Sequence, residues 1–568
     1  MASSSSSKSN RLAVTAAVAL TGSVAVWYYW YWANPRRRCR IEVDLSLVEE
    51  AEQLDQSELN RSNIAFSRLS MKIAQQILRA SSSSSSSQLP LLKALEAKHV
   101  ELAAAWNDTT SSRKPPFCVV EGVKYAIDAQ KIGMIDQPGH VRIIVPFYCE
   151  FERGMPATKD NPNGEESPLQ KVEEVLFLLA YNGKISMDLI FVNDSIAEKK
   201  DDKNNGGSSK LFKTSILAYM SSKNMAVDIC KGDKKKAGPT ATDEDYDVLT
   251  ALNGQLYIKF TSCEVEASKG SPYESPSDKR KRMENRDANG KLQERKGGAV
   301  LTGMELPIDN NKFAGDEMSQ RVIRCLVDGD SAHPVASFVG DAAYSILQLG
   351  NTAYLGNLRD PSTCVSVVGE DSGGGSAGTH ARVQNRKLMF SGFIVPFLFP
   401  ELSDKYKYTG TTQLPIKAFR GDIDFAKAKL PTVQPNVDLG MLALLCSYLN
   451  TNGGSIDSGP VTIRDNIASS TMTTSDLEAE WSKTYGPIFT SAVGLCRDLK
   501  PTEFQQLPSF WTNFIENMGL EHYTTLFDDD ATDKANVVAF FDVMKEFRGS
   551  NNRPVVLEKL KGSLKKII

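Results

Sequence analysis

The longest apolar run of the chain extends from Leu12 to Trp32 and contains no charged residue. At about 1.5 Å per residue, a helix of this length measures about 31 Å, close to the thickness of a bilayer's hydrocarbon core. Its last six residues are aromatic, as at the interfacial ends of membrane helices. The pattern predicts a single-pass transmembrane helix over residues 12–32 after a Ser-rich head at 1–11. In a cleaved signal peptide, the alternative, small residues would occupy the place of these aromatics.

Positive charge is concentrated on the C-terminal side of this run. Arginines stand at 36, 37, 38 and 40, whereas only Lys8 and Arg11 precede the run. Because cytosolic flanks carry the excess of Lys and Arg, we expect the large body in the cytosol, at an organelle outer membrane or the endoplasmic reticulum. A Golgi-type anchor with a lumenal body is the alternative.

Apolar residues then recur at helical spacing in two segments, separated by a serine tract at 81–87. The first segment has Phe66, Leu69, Ile73 and Ile77, and the second has Leu91, Leu95, His99, Leu102 and Trp106. The pattern predicts a helical stalk at 33–115. No heptad persists for three repeats, so a coiled-coil partner is left as an alternative.

From Pro116 onward, short β-rich runs alternate with apolar helical runs. Strands are predicted at 117–123, 141–151, 185–192 and 255–265, and helices at 172–181 and 211–230. Together these elements predict a mixed α+β domain at 116–266. A charged stretch poor in large apolar residues predicts a mobile linker at 267–298. A second mixed α+β domain follows at 299–500, with a predicted helix at 317–327.

Two echoes raise the possibility that the mixed domains are a duplication. The sequence IVPF occurs at 144–147 and again at 394–397. An apolar helix closed by Asn and Gly and followed by Ile occurs at 175–185 and again at 441–456. The spacing between the echoes differs in the two copies, so chance similarity is the alternative.

The last segment, 501–568, has the pattern of a small helical bundle. Its sequences IENMGLEHYTTLF (515–527) and NNRPVVLEKLKGSLKKI (551–567) resemble the opening and closing helices of a sterile alpha motif domain. The resemblance covers about a tenth of the chain and implies self-association or binding to a protein partner, without catalysis.

Composition sets further bounds on the function. The formal net charge is −3 in 568 residues, so the chain has no overall attraction to nucleic acid. The 9 cysteines lie far apart, and no CxxC occurs. Buried free thiols in a reducing compartment are the simplest interpretation.

Motifs for cofactors and metals are scarce. The 5 histidines form no HExxH or HxH pattern, so we expect no metal site of His and Cys. The glycine-rich run at 369–378 lacks the GK[ST] of a phosphate-binding loop, and we expect no cofactor. Its GxSxG match lacks the flanking strand and helix of a nucleophile elbow.

Paired aspartates in the pattern DxD are the one hint of catalysis. Two such carboxylates can hold a divalent ion that bridges the phosphates of a sugar nucleotide, as in many glycosyltransferases. The pairs are Asp243/Asp245, Asp245/Asp247, Asp328/Asp330 and Asp422/Asp424. A functional pair is expected at the end of a buried strand, and Asp422 with Asp424 comes closest. Surface acidity is the competing interpretation.

The sequence as a whole predicts an α+β multidomain protein with a transmembrane helix, a helical stalk, two mixed α+β domains and a C-terminal helical bundle. The leading functional hypothesis is a membrane-anchored, cytosol-facing body that serves protein interaction or tethering rather than catalysis. The alternative is a lumenal, membrane-anchored enzyme such as a glycosyltransferase with Asp422 and Asp424 as its catalytic pair.

Overall fold

The computed structural model describes residues 45–56, 63–82, 88–107, 114–147, 154–156, 158–159, 164–193, 207–232, 246–262, 296–308, 311–313, 316–329, 334–357, 365–366, 417–423, 436–460 and 462–463.

The helices of this part of the chain are α1 Leu45–Gln56, α2 Asn63–Ser82, α3 Gln88–Asn107, α4 Phe117–Gly133, α5 Ser167–Leu179, α6 Gly207–Ser222, α7 Lys296–Glu305, α8 Val339–Ala343 and α9 Asn436–Asn452. Helix α8 continues into a π-helical turn, Tyr344–Gln348. The strands are β1 Gly139–Phe147, β2 Ile185–Asn193, β3 Val227–Gly232, β4 Tyr246–Ala251, β5 Leu256–Ser262, β6 Val322–Leu326, β7 Ala353–Asn357, β8 Val365–Ser366, β9 Lys417–Arg420, β10 Ile456–Pro460 and β11 Thr462–Ile463.

A 9-stranded mixed sheet organises the fold, with the order β10-β7-β9-β6-β1-β2-β5-β4-β3. Its centre is parallel: β6 pairs with β1, β1 with β2 and β2 with β5. Strand β9 runs antiparallel between β6 and β7, and β10 is parallel to β7. The hairpin of β3 and β4 ends the sheet beside β5. Strands β8 and β11 form a separate parallel pair.

The central strands are apolar on both faces because helices cover both. We call the face with Val141, Ile143 and Val145 the front face, and the face with His140, Arg142 and Ile144 the back face. Every residue of β1 is buried, as is usual for parallel strands between two helical layers. Helices α4, α5, α6 and α8 lie on the front, and α7 lies on the back beside α9.

The fold class predicted from the sequence, with two separate mixed domains, is wrong. Strands β1 to β5 come from 116–266, and β6, β7, β9 and β10 come from 299–500, yet all belong to one sheet. The sequence prediction failed because β-strand pairing between distant segments leaves no local signal. Of the linker predicted at 267–298, the last three residues begin α7, and the rest lies outside the described residues.

The single sheet also argues against the alternative that the two mixed domains are a duplication. The second pair of echoes does correspond to similar local structure, since α5 leads into β2 and α9 leads into β10. Both units, however, contribute to the same sheet, so they are not the cores of two domains. The repeat of IVPF at 394–397 lies outside the described residues.

The predicted stalk is also corrected. Its segments are helical, as predicted, but α2 and α3 pack against α4 as a second layer over the front of the sheet. Ile73, Leu95 and Leu102 are at most 1% exposed, so the apolar stripes belong to the main core. A stripe of this kind gives the same sequence pattern whether its partner is nearby or distant in the chain.

No helix among the described residues is long and apolar enough to cross a membrane. The segment 12–32 itself and the C-terminal segment 501–568 lie outside the described residues. Location at a membrane and the resemblance of 515–567 to a sterile alpha motif domain therefore stay predictions.

Candidate functional site

The order of the four central strands creates a point where the chain reverses its direction across the sheet. By chain order these strands are third, second, first and fourth: β5, β2, β1 and β6. From β1 the chain moves one way across the sheet, to β2, and from β6 it moves the other way, to β7, while α5 and α8 both lie on the front face. In open α/β sheets, ligands bind in the crevice that this divergence leaves outside the carboxyl ends of the strands. We call this side of the sheet the carboxyl edge.

One DxD pair begins at this reversal point. After β6, the backbone N–H of Val327 donates to the carbonyl oxygen of Ile144 at 3.0 Å, so the pairing with β1 continues one residue past the strand. Asp328 and Gly329 follow directly, and Asp330 lies outside the described residues. The pair thus fulfils the criterion of following a buried strand, because Val322, Ile323, Cys325, Leu326 and Val327 are all buried.

Gly329 fits tightly against the end of β1. A Cβ at this position would lie 2.6 Å from the carbonyl oxygen of Pro146 and 3.0 Å from the Cβ of Phe147. Because real Cβ atoms do not approach a backbone oxygen this closely, glycine allows the chain after β6 to lie against β1. Asp328 therefore directly precedes a residue held at the carboxyl edge.

Helix α7 points its N-terminus toward the same edge. Gly303 lies on the carboxyl halves of two central strands, where an added Cβ would be 2.5 Å from Ile144 Cγ2 and 3.2 Å from Val192 Cγ2. Farther along the chain, the carbonyl oxygen of Met304 accepts a hydrogen bond from Arg142 nearer the amino end of β1. The helix therefore runs antiparallel to the strands. Its first residues, Lys296 and Gly297, offer backbone N–H groups and a positive dipole end toward the carboxyl edge.

A buried ion cluster holds the far end of α7 on the back face. Asp188 Oδ2 accepts hydrogen bonds from Lys259 at 2.8 Å and from Arg142 at 3.3 Å. Lys259 also donates to the carbonyl oxygen of Pro307 at 2.8 Å. Burial alone would raise the pKa of Asp188, but Lys259, His140 and Arg142 outweigh it and hold the pKa below its usual range. The cluster therefore connects the sheet to the segment that follows α7.

His140 in this cluster lies between a serine and an aspartate, as in hydrolase triads. Its Nδ1 is 2.8 Å from Ser186 Oγ, and its Nε2 is 3.2 Å from Asp188 Oδ1. The ring, however, is fully buried and stacked on Phe313 with 5.6 Å between centroids. Asp188 is also committed to Lys259 and Arg142. The arrangement therefore lacks the exposed hydroxyl that an acyl-transfer nucleophile requires.

A second buried network ties the front helices together. Lys124 on α4 donates to both Asp128 and Asp341, and the backbone N–H of Asp341 donates to Asp128 Oδ1 at 2.9 Å. Lys131 joins Asp341 Oδ1 at 2.6 Å to Glu96 at 2.9 Å. Burial raises the pKa of Asp128 to about 7, with Lys124 opposing it. Because these carboxylates are paired with lysines inside the helical layer, the network connects helices and offers no open site.

The predicted pair Asp422 and Asp424 lies elsewhere. Because β9 is antiparallel and Arg420 pairs with Ile323 near the start of β6, Asp422 lies at the amino edge of the sheet. Its carboxylate accepts hydrogen bonds from Arg420 at 2.8 and 2.9 Å and from Tyr448 at 2.7 Å. Both oxygens are therefore engaged. Asp424 lies outside the described residues.

The described residues contain no group of three or more His, Cys, Asp or Glu that could hold a metal ion. A magnesium-like ion in a nucleotide site needs fewer protein ligands, since one or two carboxylates share it with substrate phosphates and water. The free thiols of Cys118, Cys325 and Cys446 are buried, and that of Cys230 is exposed.

Comparison of the chain with protein-family models, with curated proteins and with solved structures found no match.

The sequence pointed to Asp328 and Asp330 as well, but Asp422 and Asp424 came closest to the end of a predicted buried strand, and 317–327 was predicted to be helical. The structure has a 3₁₀ turn at Asp316–Arg321 and then strand β6. The available signal was the run VIRCLV, which is rich in β-branched residues and ends at the pair. A short apolar run of this kind is ambiguous between helix and strand, so the signal was weak.

Proposed function

We propose that the chain is an enzyme that binds a nucleoside diphosphate sugar at the carboxyl edge of the sheet and transfers the sugar. The observation that carries the proposal is the position of Asp328: directly after a buried parallel strand, at the point where the strand order reverses. The sequence alone favoured a tethering protein and gave a glycosyltransferase as the alternative; we now prefer the alternative.

The chemistry of the edge supports a diphosphate ligand. The carboxylate of Asp328 at this point can share a divalent cation with phosphate oxygens, which compensates the charge of the nucleotide. The N-terminus of α7 supplies further stabilisation for an anion through its N–H groups. Gly329 keeps the backbone that follows Asp328 close to the end of β1.

Binding of the full-length chain to UDP, GDP, CDP and ADP, measured by calorimetry with Mn²⁺ and again with EDTA, tests the proposal. We expect one nucleotide to bind with Mn²⁺ and to lose at least about tenfold in affinity with EDTA, equivalent to about 1.4 kcal/mol. The double variant D328N/D330N should show a similar loss. Release of the same diphosphate from its sugar conjugate then tests transfer or hydrolysis.

The variant D422N is the matched comparison, because it changes a DxD carboxylate at the opposite edge. We expect it to bind the nucleotide as the wild type does. A loss confined to D422N would favour the pair predicted from the sequence. If no nucleoside diphosphate binds in the presence of Mn²⁺, the proposed function is wrong.

The tethering hypothesis depends on residues 501–568, so it stays a prediction with its own test. Analytical ultracentrifugation of that fragment should detect self-association, whereas a monomer that captures no partner protein would contradict the hypothesis.

A further inference from the structure

Helix α3 has one side that the described residues leave uncovered. Its other side packs against α4, and Leu92, Leu95 and Leu102 are buried there. On the uncovered side, Leu89 and Val100 are each 49% exposed. They are two of the four large apolar side chains that are exposed in the described part of the chain. A single helix thus presents two apolar side chains to the solvent on the same side.

The uncovered residues form one stripe along α3, which we call the outer stripe. Their spacing of three or four positions places them one above another on the helix surface. The outer stripe consists of Leu89, Lys93, Ala97, Val100 and Ala104. Ala97 is half-buried, and the other four are exposed. A face of this shape can pack along a second helix.

The charges beside the outer stripe are complementary to a second copy of themselves. Lys93 and Glu101 are exposed, opposite in sign and eight residues apart, with Ala97 midway between them. Each lies about 6 Å from Ala97 along the helix axis. In an antiparallel pair with a two-fold axis at Ala97, each Lys93 is therefore level with Glu101 of the other copy. A parallel pair in the same register would oppose like charges instead.

Glu101 can accept a second donor in such a pair. Its carboxylate already accepts from Lys98 on the same helix at 2.8 Å, but its side chain is 42% exposed. A carboxylate has several acceptor positions, so contact with Lys93 of the second copy does not require the bond to Lys98 to break.

The same register places large side chains level with small ones. Leu89 lies eight residues before the axis, level with Ala105 of the second copy. Val100 lies three residues beyond it, level with Ala94 of the second copy. The two helices can therefore approach each other without collision. Association removes the exposed apolar surface of Leu89 and Val100 from water in both copies, which favours the pair.

We propose that the outer stripe of α3 binds a second copy of this chain as an antiparallel helix pair with its two-fold axis at Ala97. A contact between two helices is smaller than the standard interface of about 800 Å² per partner. The dimer is therefore reversible, with a Kd of about 1 to 100 μM.

Sedimentation equilibrium of the full-length chain, at concentrations on both sides of this Kd, tests the inference. In K93E and in E101K, like charges meet at two places across the axis, and we expect the dimerisation constant to fall by about tenfold or more. The double variant K93E/E101K exchanges the two signs and restores opposite charges. It should recover the wild-type constant within about threefold.

A second pair of variants keeps the test valid if E101K, which removes the partner of Lys98, fails to fold. V100E replaces an exposed apolar residue of the outer stripe by a charge and should lower the dimerisation constant by about tenfold. I229E is the matched control, because Ile229 on strand β3 is 56% exposed and lies on another surface. It should leave the constant unchanged.

Three results would overturn the inference. The first is a wild-type chain that stays monomeric at the highest concentration. The second is a loss of the dimer in I229E but not in V100E, which would place the contact at the edge of the sheet. The third is a dimer that none of these variants weakens, which would favour self-association through 501–568.

Discussion

Glu174 is a single residue whose carboxylate joins four parts of the fold. Its Oε1 accepts hydrogen bonds from Ser67 at 2.6 Å, Gln170 at 2.8 Å and Tyr125 at 2.9 Å. Its Oε2 accepts from the backbone N–H groups of Val335 and Ala336. The carboxylate thus connects α2, α4 and α5 with the turn before α8. Every one of these partners donates a hydrogen bond to Glu174. Only a group that accepts hydrogen bonds and donates none, such as a carboxylate, can satisfy all of them.

We expect the variant E174Q to lower the free energy of unfolding by about 3 kcal/mol, because its amide turns N–H groups toward buried donors. The neighbouring E173Q is the control. Glu173 is 6% exposed, but its partner Arg68 is 46% exposed and can be solvated when the pair is lost, so E173Q should cost less than E174Q, about 1 kcal/mol. Urea denaturation of both variants measures the difference, and equal losses would contradict this account.

His99 is a second single residue with a predictable effect, because its burial makes the stability of the fold depend on pH. Burial, with a contribution from Lys124, lowers its pKa to about 3 from the model-peptide value of 6.5. Below pH 6.5 the unfolded chain therefore binds a proton that the folded chain does not, so stability falls as the pH falls toward 3. The slope assigned to this residue approaches about 1.4 kcal/mol per pH unit.

The variant H99M should remove that slope. Denaturation curves of wild type and variant at pH 7, 6, 5 and 4 isolate the residue, because all other groups titrate in both proteins. We expect the variant to gain stability relative to the wild type at each step below pH 6.5. Parallel stability profiles would contradict the lowered pKa of His99, because they would mean that the folded and unfolded chains bind its proton equally.

At the scale of elements, helix α4 shows how closely the layers are packed. A Cβ at Gly122 would lie 2.7 Å from Ile73 Cγ2 and 3.0 Å from the carbonyl oxygen of Ser70, both on α2. We expect G122A to push the two helices apart and to cost about 1 to 3 kcal/mol. G133A on the same helix is the control, since its nearest contact would be 3.6 Å away. Thermal unfolding should separate the two, and equal midpoints would contradict the packing argument.

Elements with a strong local pattern were predictable from the sequence. The helix predicted at 172–181 corresponds to α5. The strands predicted at 185–192 and 255–265 correspond to β2 and β5. The prediction at 117–123 was wrong: Phe117 begins α4, which is buried all around, so its apolar residues show no helical periodicity. The position of the candidate site was not predictable either, because it depends on the order of the strands in the sheet, which no single segment of the sequence shows.

At the scale of the whole molecule, the sheet and the ion networks cross the boundary once predicted near residue 267. Strand β1 needs β6 as a neighbour, and Lys124 needs Asp341 as a charge partner. A fragment of residues 45–266 would expose one side of β1 and bury an ammonium group without that carboxylate. We therefore expect the two halves to depend on each other for folding.

We expect the 45–266 fragment alone to lack a near-ultraviolet circular dichroism signal and a cooperative thermal transition. Co-expression with residues 296–568 should restore both. A fragment that unfolds cooperatively by itself would support two separate domains after all.

The position of β9 also sets an order of events during synthesis. Strands β6 and β7 leave the ribosome first, but they are not neighbours, and the strand that fills the slot between them begins only at Lys417. Until then each has an edge with unpaired backbone groups, which is a template for pairing with other chains. We therefore expect a nascent chain halted between Asn357 and Lys417 to be more prone to aggregation than a chain that includes β9.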